Sequence, residues 1–178
     1  MKKTIYLFVA IIFCLAGIAV AQIGSPISFG IAVGGGLSAP SGDLSNVSST
    51  GYHGAAKARF GSIGFPFDLT GAVAYHRLPD KTGSEATNMI QIAAGIEYPI
   101  PSIEIKPYFL AEFTFNSISR TAANTSSYSR EGLNLGAGVQ LLGFDGSLKY
   151  QMLNLLGKEN NEGTNSQITA TICYMIGF

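Results

Sequence analysis

Apolar and polar residues alternate with a period of two along eight segments of this 178-residue chain. Successive side chains of a β-strand point to opposite faces, so this alternation predicts strands with one apolar and one polar face. Within residues 103–116, Phe109 and Phe113 fall on one face, whereas Lys106 and Glu112 fall on the other. The eight predicted strands span residues 27–39, 52–61, 65–77, 88–98, 103–116, 130–141, 144–154 and 166–178.

The predicted connections alternate between long and short. Those over residues 40–51, 78–87, 117–129 and 155–165 are long and rich in Ser, Thr, Asn and Gly. Those over residues 62–64, 99–102 and 142–143 are short. Long loops at one end and tight turns at the other are typical of barrels that span the bacterial outer membrane. A soluble meander has no physical reason to sort its loops by length in this way.

Residues 1–21 are predicted to be a cleaved signal peptide. They begin with Lys2 and Lys3, continue with an apolar stretch and end at Ala21 in an A-x-A cleavage pattern. An uncleaved membrane anchor is the alternative interpretation of this segment. Cleavage leaves residues 22–178 as one predicted domain.

Composition narrows the class of the predicted mature chain. After residue 21 there is no apolar run near the roughly 18 residues of a membrane-spanning helix. Charged residues make up only 12% of the chain, and apolar residues make up 47%. An exported, apolar chain without such a helix is either secreted or inserted as a closed barrel. Removal of two lysines with the leader leaves an excess of acidic residues, which argues against a nucleic-acid binder.

These observations together predict an all-β fold, an eight-stranded antiparallel up-and-down transmembrane β-barrel. Eight is an even number, as in bacterial single-chain barrels. Aromatic residues on the apolar faces group toward the two ends of the predicted strands. The expected girdles are formed by Phe60, Phe65, Tyr98, Phe144 and Phe178 at the end with short turns, and by Tyr52, Tyr75 and Phe115 at the other.

The whole predicted mature chain resembles the small eight-stranded outer-membrane barrels of the OmpA/OmpX type and the broad outer membrane protein beta-barrel domain family. The resemblance rests on the leader, the alternating strands, the stretch over residues 54–61 and the terminal residues 174–178. It implies a monomer in the bacterial outer membrane, surrounded by lipid. A last strand that ends in Phe178 resembles the signal that the barrel-assembly machinery reads in this family.

The polar face is predicted to fill the lumen with paired charges. An eight-stranded interior is only wide enough for side chains, and charges there need partners or water. The short turn over residues 62–64 is expected to place Arg59, or Lys57 after a slip of two residues, opposite Asp68. The predicted network contains Lys57, Arg59, Asp68, Glu97, Lys106, Glu112, Arg130 and Lys149.

The expected function is structural or surface-directed, with a plugged lumen and loops that meet a partner the sequence does not identify. A narrow porin-like channel for small solutes is the alternative. Two less favoured possibilities are an enzyme that modifies lipid A and a soluble lipocalin-type ligand binder. His53 and His76 lie on the polar face, but two histidines are too few for a zinc site. We therefore expect no catalytic residue, metal or cofactor.

Overall fold

The computed structural model describes residues 27–62, 64–101, 105–121, 127–156 and 163–177. The predicted signal peptide and Phe178 lie outside these residues. The described chain forms eight strands and one short helix. Their bounds are β1 Ile27–Gly42, α1 Leu44–Val47, β2 Gly51–Ser62, β3 Asp68–Pro79, β4 Ala86–Pro99, β5 Lys106–Arg120, β6 Tyr128–Leu141, β7 Phe144–Leu156 and β8 Asn165–Gly177.

The eight strands form one closed antiparallel barrel in sequence order. Each strand pairs with the next, and β8 returns to pair with β1 from Gly30↔Gly177 to Gly42↔Asn165. The predicted fold class is therefore confirmed. Closure leaves no unpaired sheet edge among the described strands, so the backbone N–H and C=O groups find their hydrogen-bond partners within the barrel. The described residues contain no helix that is long and apolar enough to cross a membrane.

Two predicted strand starts were too early. β3 begins at Asp68 rather than at residue 65, because Pro66 has no N–H to donate to a ladder. β5 begins at Lys106, after Ile105, and residues 103 and 104 of the predicted strand lie outside the described residues. The connections at the short-turn end therefore cover residues 63–67, 100–105 and 142–143, and those at the long-loop end cover 43–50, 80–85, 121–127 and 157–164. The difference in length is smaller than predicted.

The β6–β7 connection is a two-residue hairpin turn. Leu142 has φ of 52° and Gly143 has φ of 82°, so both central residues are left-handed, as in a type I′ turn. Glycine accepts this conformation readily, whereas a leucine side chain is strained by it. Leu142 projects away from the barrel and is 87% exposed.

The two faces of the sheet have the polarity of a membrane barrel. Large apolar side chains point outward, and Val33 and Leu148 are 61% and 58% exposed. Polar side chains point inward, and Thr114 and Asn134 are fully buried. A lipocalin-type binder has the opposite polarity, so this arrangement argues against that alternative. Exposed aromatic side chains lie at both ends: Tyr52, Tyr75 and Phe115 toward the long loops, and Phe65, Tyr98 and Phe144 toward the short turns.

Candidate functional site in the barrel lumen

The lumen near the short-turn end is filled by a group that we call the charged layer, namely Lys57, Arg59, Asp68, Glu97, Tyr108 and Asp145. Lys57 is its centre. Its Nζ donates to Glu97 Oε1 at 2.8 Å and also to Asp145 Oδ2. The Tyr108 hydroxyl donates to the other oxygen of Asp145. Glu97 and Asp145 are 1% and 2% exposed, so one lysine compensates two buried carboxylates.

The expected pairing of Arg59 with Asp68 occurs along a diagonal. Arg59 lies directly across from Thr70, and the predicted register is therefore wrong by two residues. The cause is the longer connection over residues 63–67. Asp68 nevertheless points into the lumen, and its Oδ2 lies 3.7 Å from Arg59 Nε. Lys57 does not pair with Asp68 but reaches across the barrel to β4 and β7.

Inward-facing glycines make room for these long side chains. Gly138 lies opposite Tyr108, and a Cβ at this glycine would collide with the tyrosine ring. Gly136 lies opposite Lys149, where a Cβ would come within 3.2 Å of the lysine side chain. The small residues on β6 are thus the counterpart of the bulky polar residues on β5 and β7.

Above the charged layer, Lys149 and Glu112 form a second ion pair. Lys149 Nζ lies 3.0 Å from both carboxylate oxygens of Glu112. Asn134 Nδ2 also donates to Glu112, at 2.9 Å. From here a network of amides continues toward the long loops, which we call the amide layer. Its members are Gln91, Asn116, Asn134, Gln151 and Gln167.

His53 and His76 are direct cross-strand partners, with ring centroids 4.9 Å apart. Ser38 Oγ lies 2.9 Å from Nδ1 of His53 and 3.0 Å from Nδ1 of His76. The serine has one proton, so with both rings neutral it can donate to one ring and must accept from the other. Thr171 Oγ1 bonds the remaining nitrogen of His53 at 2.9 Å. The pair is tied into the barrel wall by hydroxyl groups.

The lumen near the long-loop end is closed by apolar side chains, a group that we call the apolar cap. Its members are Leu44, Leu78, Met89, Ile118 and Leu153, each no more than 8% exposed. Four of them occupy inward positions at the ends of β3, β4, β5 and β7, and Leu44 is supplied by α1. The alternation pattern assigns polar residues to such inward positions, so the sequence did not predict this apolar cluster.

Two residues of the predicted network belong neither to the charged layer nor to the Lys149–Glu112 ion pair. Lys106 is exposed at the start of β5. Arg130 lies at the opposite end, where its guanidinium stacks 5.0 Å from the ring centroid of Tyr128. The predicted network in turn lacked Asp145 and Tyr108, which complete the contacts of Lys57. Both were recognisable as polar-face residues of their strands, but their partners depend on the register across the barrel.

A cavity of about 40 Å³ separates the ion pairs from the histidines. By volume it has room for about three water molecules. Lys57, Lys149, His53, His76 and Cys173 contribute to its lining. In the described part of the chain, no group of three or more His, Cys, Asp or Glu side chains is placed to hold a metal ion.

A comparison with protein families identifies the chain. Residues 8–174 match the model of the outer membrane protein beta-barrel domain. The chain belongs to this family. The resemblance noted in the sequence is thereby confirmed, and the protein is an outer-membrane β-barrel of a Gram-negative bacterium. A search of curated proteins found no sequence that matches.

Solved structures agree with this assignment of fold. Neisserial surface protein A (NspA) is 19% identical, with a TM-score of 0.56, and the match covers 85% of this chain and 99% of that chain. Ail, the attachment invasion locus protein of Yersinia pestis, is 16% identical, with a TM-score of 0.51, and the match covers 84% of this chain and 98% of that chain. At these identities the likeness shows the barrel fold.

Proposed function

We propose that this protein is a surface-exposed structural barrel that does not conduct, and that its long loops are the part that meets a partner outside the cell. The observation that carries the proposal is the filled lumen. Lys57, Glu97 and Asp145 close it near the short turns, and the apolar cap closes it near the long loops. A barrel with a closed interior can act only through its loops and its lipid-facing wall.

The names of two similar structures support this proposal. One is a surface protein of Neisseria and the other is an attachment and invasion protein of Yersinia pestis. Both have the same barrel fold as this chain. We propose a related role for this protein at the cell surface, without naming the molecule that its loops contact.

We assign no catalytic role to the contact between Ser38 and His53. A serine hydroxyl 2.9 Å from an imidazole nitrogen is a feature of nucleophilic catalysis. Ser38, however, is fully buried and shares its hydroxyl with a second histidine, His76. The apolar cap lies between this group and the long loops, so a lipid headgroup has no path to the serine. We propose that these contacts hold the strands in register.

Conductance in planar bilayers tests the closed lumen. The refolded protein is expected to give at most small, intermittent conductance, because paired charges and apolar side chains fill the interior. A large, steady conductance in the unmodified protein would overturn the proposal and establish the channel alternative. A difference in SDS gel migration between the unboiled and the boiled sample verifies that the protein is folded.

Epitope insertion tests which end of the barrel faces outward. A short epitope placed within residues 81–84, all of them exposed, is expected to be detected on intact cells. The matched control carries the same epitope at the turn Leu142–Gly143, and its detection should require a permeabilised outer membrane. Detection of the control alone on intact cells would show that the long loops face the periplasm and would remove the proposed surface role.

Export by a cleaved signal peptide and folding by the barrel-assembly machinery belong to the same proposal. Mass spectrometry of the mature protein should give an N-terminus at Gln22. Deletion of Phe178 should slow assembly into the outer membrane. Normal assembly of this variant would remove Phe178 as the recognition signal.

A further inference from the structure

The first long loop folds across the mouth of the barrel and is tied to two other loops. The backbone N–H of Lys81 donates to the Val47 carbonyl at 3.0 Å, and that of Ser49 donates to the Pro79 carbonyl at 2.7 Å. On the other side, the N–H of Asp43 donates to the Thr164 carbonyl at 3.0 Å. These bonds hold α1 over the lumen.

Leu44 is the side chain of this loop that points into the barrel. It is 8% exposed and packs in the apolar cap, whereas Val47 on the same helical turn is 40% exposed. The cap partners come from four different strands, so Leu44 completes a ring around the mouth. Apolar constrictions of this kind exclude water and close a pore without any charge.

The groups directly beneath the cap are polar and fully enclosed. Ser38 is 0% exposed and His76 is 1% exposed. Exposure increases toward the short-turn end, where Arg59 and Asp68 are each 19% exposed. The barrier against water from the long-loop side therefore lies above Ser38 and His76, at the level of the cap.

We propose that α1 is a hydrophobic lid, which seals the long-loop end of the lumen through Leu44 and acts in series with the charged layer. The lid is a separate barrier, since it shares no residue with the charged layer. The lid proposal rests on the proposed function in one respect, namely that the lumen is closed. Local opening of α1 admits water to the histidine pair while the charged layer stays intact.

A cysteine beneath the cap reports on the lid. Ser38→Cys, in a protein that also carries Cys173→Ser, is treated in detergent micelles with a small charged methanethiosulfonate reagent. Modification at this position is followed by mass spectrometry of the peptide. Lys81→Cys, at an exposed loop position, gives the reference rate. The reporter at position 38 should react about 100-fold more slowly than the reference, because reaction requires local opening.

Leu44→Ser should accelerate modification at position 38 by roughly 10- to 100-fold, since leucine burial stabilises the closed state by that factor. The matched control Val47→Ser, on the exposed side of the same helix, should leave the rate unchanged. Tyr108→Ala, which loosens the charged layer, should also leave it unchanged. Leu44→Ala repeats the test with a better helix former if the serine variant does not show the folded band in SDS.

Two results would overturn the lid. One is a parent reporter that reacts as fast as the exposed reference. The other is a reporter that responds to Tyr108→Ala but not to Leu44→Ser, because access would then come from the short-turn end. If the lid fails, the charged layer alone should still keep conductance low in planar bilayers, so failure of the lid is distinguishable from failure of the proposed function.

Discussion

The two ends of the lumen are closed by different kinds of interaction. Near the short turns, Lys57 lies between two carboxylates, and every group has a specific partner at a specific distance. Near the long loops, Leu44 and its neighbours pack without directional bonds. The charged layer is rigid but depends on each member, because loss of one charge leaves another buried and unpaired. The apolar cap tolerates movement and depends on the volume that its side chains fill.

The two groups also differ in the elements of the fold that carry them. The charged layer is built entirely on strands, whose ladders fix each side chain. The cap takes one member from a helix of four residues, Leu44–Val47, that is held by a few backbone bonds. An apolar contact survives small displacements of the loop, whereas charge-assisted hydrogen bonds require fixed geometry. Variants of the two groups should therefore differ in the size and character of their effects.

The largest effect is expected for Lys57→Met. It leaves Glu97 and Asp145 buried without their shared cation, and the free energy of unfolding should fall by about 3–5 kcal/mol. Urea unfolding of the refolded protein in micelles measures this change. Lys106→Met removes the same charge from an exposed position and should change stability by less than about 1 kcal/mol.

The loss caused by Lys57→Met should depend on pH. The two unpaired carboxylates are unfavourable only while they are charged, so acid should restore part of the lost stability. Asp145→Asn, added to the Lys57→Met variant, should restore part of the lost stability at neutral pH. If neither condition helps, the destabilisation comes from lost packing of the lysine stem rather than from charge.

For the apolar cap, Leu153→Ala is expected to lower the free energy of unfolding by about 2–4 kcal/mol. The leucine is 1% exposed, and its truncation leaves a cavity that the strands cannot fill. This loss should not respond to acid, in contrast to that of Lys57→Met. A pH-dependent loss in the leucine variant would show that the two ends are energetically coupled.

Much of the fold was predictable from the sequence, because a period of two over eight segments permits few arrangements. The inward or outward direction of Asp68 follows from strand parity alone. The partner of Asp68 does not follow from parity, because Pro66 lengthens the turn and shifts the register by two residues. The apolar cap was missed for a related reason. Leu78, Met89, Ile118 and Leu153 are far apart in sequence, and only barrel closure brings them to one ring with Leu44.

The two barriers should combine in series. Tyr108→Ala, which loosens the charged layer, is predicted to raise conductance, but only slightly while the cap stays closed. Leu44→Ser alone should likewise have a small effect. The double variant should conduct roughly tenfold more than the sum of the single variants, a factor equivalent to about 1.4 kcal/mol. Simple additivity in planar bilayers would show that the lumen has only one effective barrier.

The smallest effect concerns the short-turn end, where Leu142 holds φ of 52° outside both barriers. Asparagine accepts the left-handed conformation more readily than leucine, so Leu142→Asn should raise the free energy of unfolding by about 1 kcal/mol. The matched control Leu141→Asn places the same polar group on the adjacent residue, which is part of β6 and 43% exposed on the outer face. That variant should lose stability instead. Because the turn touches neither the charged layer nor the apolar cap, Leu142→Asn should leave both bilayer conductance and thiol modification at position 38 unchanged. A gain in stability with altered conductance would show that the β6–β7 turn controls the lumen. The charged layer and the apolar cap would then not close the barrel independently of this turn.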